Sequence, residues 1–190
     1  MSWERYQQSK LYPLKRFYAA GCINNAAATT GAPGAIDTLH TAPMLIVRRT
    51  LIESLAFNVT SGAASSTGRI GLYNCRDCEA GDLYPYKNLW DSGSISTAGT
   101  GVMESYCRRW LDPGLYWLAL NFGVDLPTLR SFVANSRANP LGYDSTLTSP
   151  GYGWTVASTF GSLPGAFPVG ATVLTTTPVL GMFYSIARYG

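Results

Sequence analysis

Few residues in this chain could do chemistry, and they are scattered. The reactive inventory of its 190 residues is one histidine, His40, four cysteines, Cys22, Cys75, Cys78 and Cys107, and eleven acids. A nucleophilic hydrolase needs a nucleophile, a base and an orienting acid, and one histidine without a Gly-x-Ser-x-Gly elbow does not supply that set. His-Glu-x-x-His, a Gly-rich phosphate loop and a dinucleotide fingerprint are missing from the sequence as well. An all-β glycosidase works with two carboxylates alone, which leaves pairs among Asp77, Glu79, Asp82, Asp91, Glu104 and Asp112. Eleven acids offer many accidental pairs, so no catalytic residue is assigned and the chain is expected not to be an enzyme.

Cys75-Arg-Asp-Cys78 is half of a zinc site, and Cys22, Cys107 and His40 form no second close pair to complete it. The order of expectation is unpaired thiols, then a Cys75 to Cys78 disulfide in an oxidising place, then a structural metal. Asp77, Glu79 and Asp82 are oxygen donors of the kind calcium takes, but an acidic loop is more often merely solvated. Neither a metal nor a cofactor is expected. Asn58-Val59-Thr60 fits the glycosylation sequon, inside a strand pattern and with no secretory signal ahead of it.

Binding chemistry is better represented. Trp90, Tyr84, Tyr86, Tyr143, Tyr152 and Trp154 lie in or beside turn-rich stretches, placed to stack on sugar rings or to pack on protein. The first sixteen residues are dense in aromatic and basic side chains, with Glu4 the only acid. Tyr12-Pro13 stops any helix there. Trp, Tyr and Arg anchor interfaces best, so Trp3, Arg5, Tyr6, Lys10, Tyr12 and Arg16 are the candidate partner-binding residues of an arm on a neighbouring subunit. The plain alternative is a frayed terminus, or a strand packing on its own domain.

The elements that must position these groups are strands. Twenty glycines, eleven prolines and twelve tyrosines, with runs of Ala, Ser and Thr, describe short strands between turns. Leu51 to Thr60 alternates, with Leu51, Leu55, Phe57 and Val59 expected on the buried face. Arg69 to Tyr73 turns Ile70 and Leu72 inward, Asn74 to Asn88 reads as a long loop, and Val179 to Arg188 as the last strand. Leu111 to Leu120 stands apart: after the Pro113-Gly114 turn, Leu115, Trp117 and Ala119 face one way and Tyr116, Leu118 and Leu120 the other. Both faces are apolar, so the strand must be central, with its second face covered by a loop, the arm or another subunit. No stretch keeps helical periodicity. The expected fold is all-β, an antiparallel two-sheet sandwich, jelly-roll-like, with residues 1–38 as N-terminal arm and connector and 39–190 as the sandwich domain.

Charged residues are 13% of the chain, about half the usual share, which suggests a surface covered by partners. A net charge of +3 without a concentrated basic stripe excludes an ordinary nucleic-acid binder. No run approaches the ~18 apolar residues of a membrane helix. Synthesis in a cytoplasm is expected.

Several segments in order resemble a module of tailed-bacteriophage virion proteins: Arg69-Ile70-Gly71-Leu72-Tyr73, Leu89-Trp90-Asp91-Ser92-Gly93, Ser96 to Val102, and Pro113-Gly114-Leu115-Tyr116-Trp117-Leu118-Ala119-Leu120. Arg48 to Thr60 and Leu163-Pro164-Gly165-Ala166-Phe167-Pro168 resemble its flanks, and the likeness covers about Arg48 to Pro168. The Cys75 to Tyr86 stretch departs from it, since the family usually has a short Gly/Pro turn there. The resemblance implies a β-sandwich in a head-decoration, fibre or tail-associated protein. A chain of this length has no room for a fibre shaft, which favours a capsid decoration (cement) protein, assembled in the bacterial cytoplasm and expected to be a homotrimer on the virion. A fibre or tail-associated module recognising host-surface glycans is the alternative.

Overall fold

The computed structural model describes the backbone of residues 17–19, 28–132, 139–175 and 182–186. These contain thirteen β-strands and no helix. The first sheet holds β1 (Phe17–Ala19), β2 (Ala28–Gly31), β4 (Thr50–Ser61), β8 (Gly101–Leu111), β10 (Thr128–Phe132) and β13 (Met182–Ile186). The second holds β3 (Thr38–Ile46), β5 (Thr67–Asp77), β6 (Asp82–Asp91), β7 (Ile95–Ser96), β9 (Gly114–Gly123), β11 (Gly153–Ala157) and β12 (Thr172–Leu174). Every pairing is antiparallel, and the molecule is the two-sheet sandwich its turn-rich composition calls for.

β4 organises the first sheet. Val59 pairs with Gly101 of β8 on one edge and Leu129 of β10 on the other, so β10 and β13 lie end to end along the edge opposite β8. The second sheet runs β12-β11-β3-β9-β5-β6. From β3 to β5, and again from β8 to β10, successive strands change sheets in the manner of a jelly roll. Pro113 therefore sits in an arch between sheets, because Leu111 still pairs with β4 while Gly114 already pairs with Ile46 of β3. Residues 17–19 and 28–31, within the low-complexity connector, take part as β1 and β2.

Three readings of strand detail change. Ile52 lies in the core beside Leu55, Phe57 and Val59, since a register irregularity between Ile52 and Ser54 shifts the parity of β4 and leaves Leu51 only half-buried. The stretch Asn74 to Asn88 is mostly the β5–β6 hairpin and not a loop. Three register shifts, together with Pro85 and Lys87, break the alternation by which such a hairpin is read.

The third concerns the two-sided strand, β9. One face, Leu118, Leu120 and Phe122, packs between the sheets with Ile52, Phe57, Ile70 and Leu72. The other, Trp117 and Ala119, is fully buried against Leu39, Tyr73, Leu163 and Phe167. The chain's own segment 158–168 thus covers the second face, so neither an arm nor a neighbouring subunit is needed there. The fit depends on Gly71, where an added Cβ would collide with the Leu163 side chain. Tyr73 Oη donates to the Pro164 carbonyl at 2.8 Å and its ring meets Phe167 edge-on at 5.3 Å. Tyr116, on the interlayer side, is only half-buried.

Candidate interaction surface

The groups that could do chemistry are mostly occupied in holding the fold. His40 is buried, with Nδ1 3.1 Å from Thr155 Oγ1 and no hydrogen-bond partner on Nε2. Burial lowers its pKa from 6.5 to about 4. Between those values the unfolded chain binds a proton that the folded chain refuses, so stability present above pH 6.5 is lost as the pH falls toward 4. The expected loss is about 3 kcal/mol, read from urea unfolding at stepped pH, and His40→Gln should flatten that slope.

Cys75 and Cys78 are joined as a disulfide at the end of β5, which corrects the expectation of unpaired thiols. The tight return of the β5–β6 hairpin, with Asp77 opposite Asp82, brings the two residues together. Cys107 is free, donates to the Ile52 carbonyl and has its thiol pKa pushed up to about 11 by burial, so it behaves as a small core side chain. Cys22 lies outside the described residues. Asp77 accepts from Ala80 N, while Asp82 accepts from Tyr84 N and lies 3.4 Å from Arg76. Among the described residues no group of three possible metal ligands occurs.

The loop aromatics are largely committed too. Trp154 donates to the Leu83 carbonyl and its ring packs tilted against Tyr84, centroids 4.8 Å apart, and the Tyr84 hydroxyl donates to Pro168 O and accepts from Ala171 N. Trp90 packs against the interlayer core and Tyr152 is half-buried. Tyr86 and Tyr143 are exposed, on β6 and in the 139–150 segment. Trp3, Arg5, Tyr6, Lys10, Tyr12 and Arg16 lie outside the described residues.

A surface absent from the candidate residues emerges on β8. Met103 and Cys107 turn inward onto the core, while Val102, Glu104, Tyr106, Arg108 and Trp110 face out and are all exposed. Val102, Tyr106 and Trp110 keep 53%, 70% and 50% of their surface open, too much for residues packed inside their own domain. Glu104 accepts a hydrogen bond from Ser54 Oγ. Arg108 has φ 42° and stands where β8 runs two residues past one of β4, bending the strand. At the nearby arch, Arg49 lies 5.3 Å over the Trp110 ring and 3.6 Å from Asp112, with Leu45 and Val47 also exposed. The signal in the sequence was the alternation Val-x-Glu-x-Tyr-x-Arg-x-Trp; what it lacked was any indication that Val102, Tyr106 and Trp110 stay exposed in the folded sandwich.

No protein-family model matches the chain, and no curated protein is similar to it in sequence.

Three of the segments that carry the virion-module resemblance, with one of its flanks, come together in space, while Gly101-Val102 on β8 and Thr50 to Thr60 on β4 lie in the other sheet. Arg69 to Tyr73 on β5, Leu89 to Asp91 on β6 and Leu115 to Leu120 on β9 are contiguous strands, and Leu163 to Phe167 caps them. Asp91 ties the unit: its carboxylate accepts from Arg69 Nη1 at 2.6 Å, Leu163 N at 2.9 Å and Gly93 N at 3.0 Å.

Proposed function

We propose that the chain is a non-enzymatic structural protein of a tailed-phage virion, a capsid decoration or cement protein that binds the outer shell. One observation carries this reading: three of the segments resembling the virion module, and the Leu163 to Phe167 flank, dispersed over about a hundred residues of sequence, form one packed unit of β5, β6 and β9 under that cap. Further support comes from the chemistry-bearing side chains, which serve the fold, and from exposed aromatic and arginine residues on β8 and its arch, the types that anchor protein interfaces. The aromatic and basic residues from Trp3 to Arg16 supply the second contact, onto a neighbouring shell subunit. Trp154 and Tyr84 are spent on each other, which weighs against a glycan platform built on them.

Deleting Met1 to Lys15 is expected to leave a folded protein that no longer binds its own emptied capsids, measured by sedimentation of particles with bound protein. Unchanged occupancy would overturn the cement role. Host-glycan binding lost on Tyr143→Ala, with no capsid binding, would place the protein among recognition modules instead.

A further inference from the structure

The far end of the β5–β6 hairpin is held differently from the rest of the second sheet. Beyond Tyr73 the paired residues are Cys75 with Pro85 and Asp77 with Asp82, and the register shifts both before and after Cys75. Pro85 has no N–H to give the ladder, and Asp77 opposite Asp82 sets like charges across it. A hairpin end built this way is weak without another tie. The Cys75–Cys78 disulfide is that tie, closing a ring around Arg76 and Asp77. It fastens to the end of β5 the turn in which Gly81 N donates to the Cys78 carbonyl at 3.3 Å.

What the ring holds in place reaches the cap. Arg76 lies inside it, with its guanidinium 3.4 Å from the Asp82 carboxylate and 4.7 Å over the Tyr84 ring. Tyr84 in turn packs on Trp154, meets Phe167 edge-on at 5.7 Å and bonds through its hydroxyl to Pro168 and Ala171. Cys75, Leu83 and Tyr84 pack on the layer of Tyr73, Trp117 and Phe167. Both cysteines keep part of their surface exposed, so a small reagent reaches them. We infer that Cys75 and Cys78 form a redox switch: as a dithiol the hairpin end from Arg76 to Tyr84 opens and slackens Phe167 to Ala171, and as a disulfide it is locked. The oxidant is a low-molecular-weight disulfide. One cysteine thiolate attacks it and expels a thiolate, then the second cysteine thiolate displaces the other half. The Cys75–Cys78 bond forms, both cysteines lose their protons, and the two electrons leave on the two released thiols. The timing rests on the virion reading, in which the dithiol persists in the reducing cytoplasm and the disulfide forms once particles are outside it.

The experiment holds the purified full chain in reduced or in oxidised glutathione. It follows alkylation of the peptide carrying Cys75 and Cys78 by mass, together with amide exchange and trypsin cleavage after Arg76. The dithiol form should take up two alkyl groups there, be cut after Arg76, and exchange from Asp77 to Tyr84 about tenfold faster or more than the disulfide form. Ala171, whose amide is held by the Tyr84 hydroxyl, should also exchange faster, while Leu118 and Leu120 keep their rates. Cys75→Ser with Cys78→Ser should behave as the dithiol in both buffers, which separates loss of the bond from any effect of the reagent. A pair that stays reduced in excess oxidised glutathione overturns the inference, as do equal exchange and cleavage in the two forms. Capsid binding is measured separately: a chain that binds capsids without switching refutes the switch and leaves the cement role standing, and a chain that switches but ignores capsids does the reverse.

Discussion

Trp117→Ala is expected to destabilise the isolated chain by about 3–5 kcal/mol, the usual cost of emptying a large aromatic site in a core. The indole is fully buried between β9, β5 and the 158–168 segment, among Leu39, Tyr73, Leu163 and Phe167. It sits on the sheet face away from the partner sheet, the face whose cover distinguishes two pictures of this protein. If another subunit buried it, the substitution would leave the dilute chain almost unaffected and weaken only assembled particles. With the chain's own cap over it, the loss appears in urea unfolding of dilute protein. Trp117→Phe is the control: the indole N–H has no hydrogen-bond partner, so phenylalanine forfeits volume but no bond and should cost much less. A small effect of Trp117→Ala in dilute protein would mean that the cap does not seal this face.

The second large effect belongs to Asp91. The Arg69–Asp91 pair is well covered, with only 15% and 22% of the side-chain surfaces exposed. The same carboxylate holds the cap through Leu163 N and the turn after β6 through Gly93 N. Asp91→Ala removes all three acceptor contacts and strands a covered guanidinium, whose Nε already lacks a partner. The expected cost is about 3–5 kcal/mol, typical of breaking a buried pair from one side. Removing both charges is a different case. Arg69→Met with Asp91→Leu takes away the desolvation penalty along with the attraction, so the double variant should recover a good part of the loss, though not the two backbone contacts. A double variant as unstable as Asp91→Ala would show that the backbone contacts, and not the ion pair, dominate. In either variant the Leu163 to Phe167 cap should loosen first, visible as faster amide exchange at Leu163 and Phe167.

How far the sequence could be read depended on how local each signal is. Ile70 and Leu72 turn inward as their alternation requires, and Trp117 to Leu120 is buried on both faces because its side chains are apolar on both. Alternation is decided by neighbours in the chain, so it survives folding wherever the ladder is regular. It fails at Ile52, where an irregularity reverses the parity, and across Asn74 to Asn88, where repeated shifts make a hairpin look like a loop. Register shifts arise from the partner strand, which the row of letters does not name. The disulfide escaped for a related reason: Cys75 and Cys78 are three apart in any fold, and only the hairpin's return decides that they face each other.

The interaction surface shows the same division. Val102, Glu104, Tyr106, Arg108 and Trp110 were visible as an alternating row, but a row becomes a surface only when the other strands have taken their places and its side chains are seen to stay exposed. The sequence alone determined the all-β class, the turns that punctuate it and the two apolar faces of Leu115 to Leu120, because these follow from side-chain type and the two-residue period of a strand. The tertiary structure decided that segment 158–168 covers the second of those faces, that Asp91 secures this cover, and that β8 presents Val102, Tyr106 and Trp110 on its outward row. Each of these depends on contacts between residues far apart in the chain, set by packing and strand order and not by any local preference.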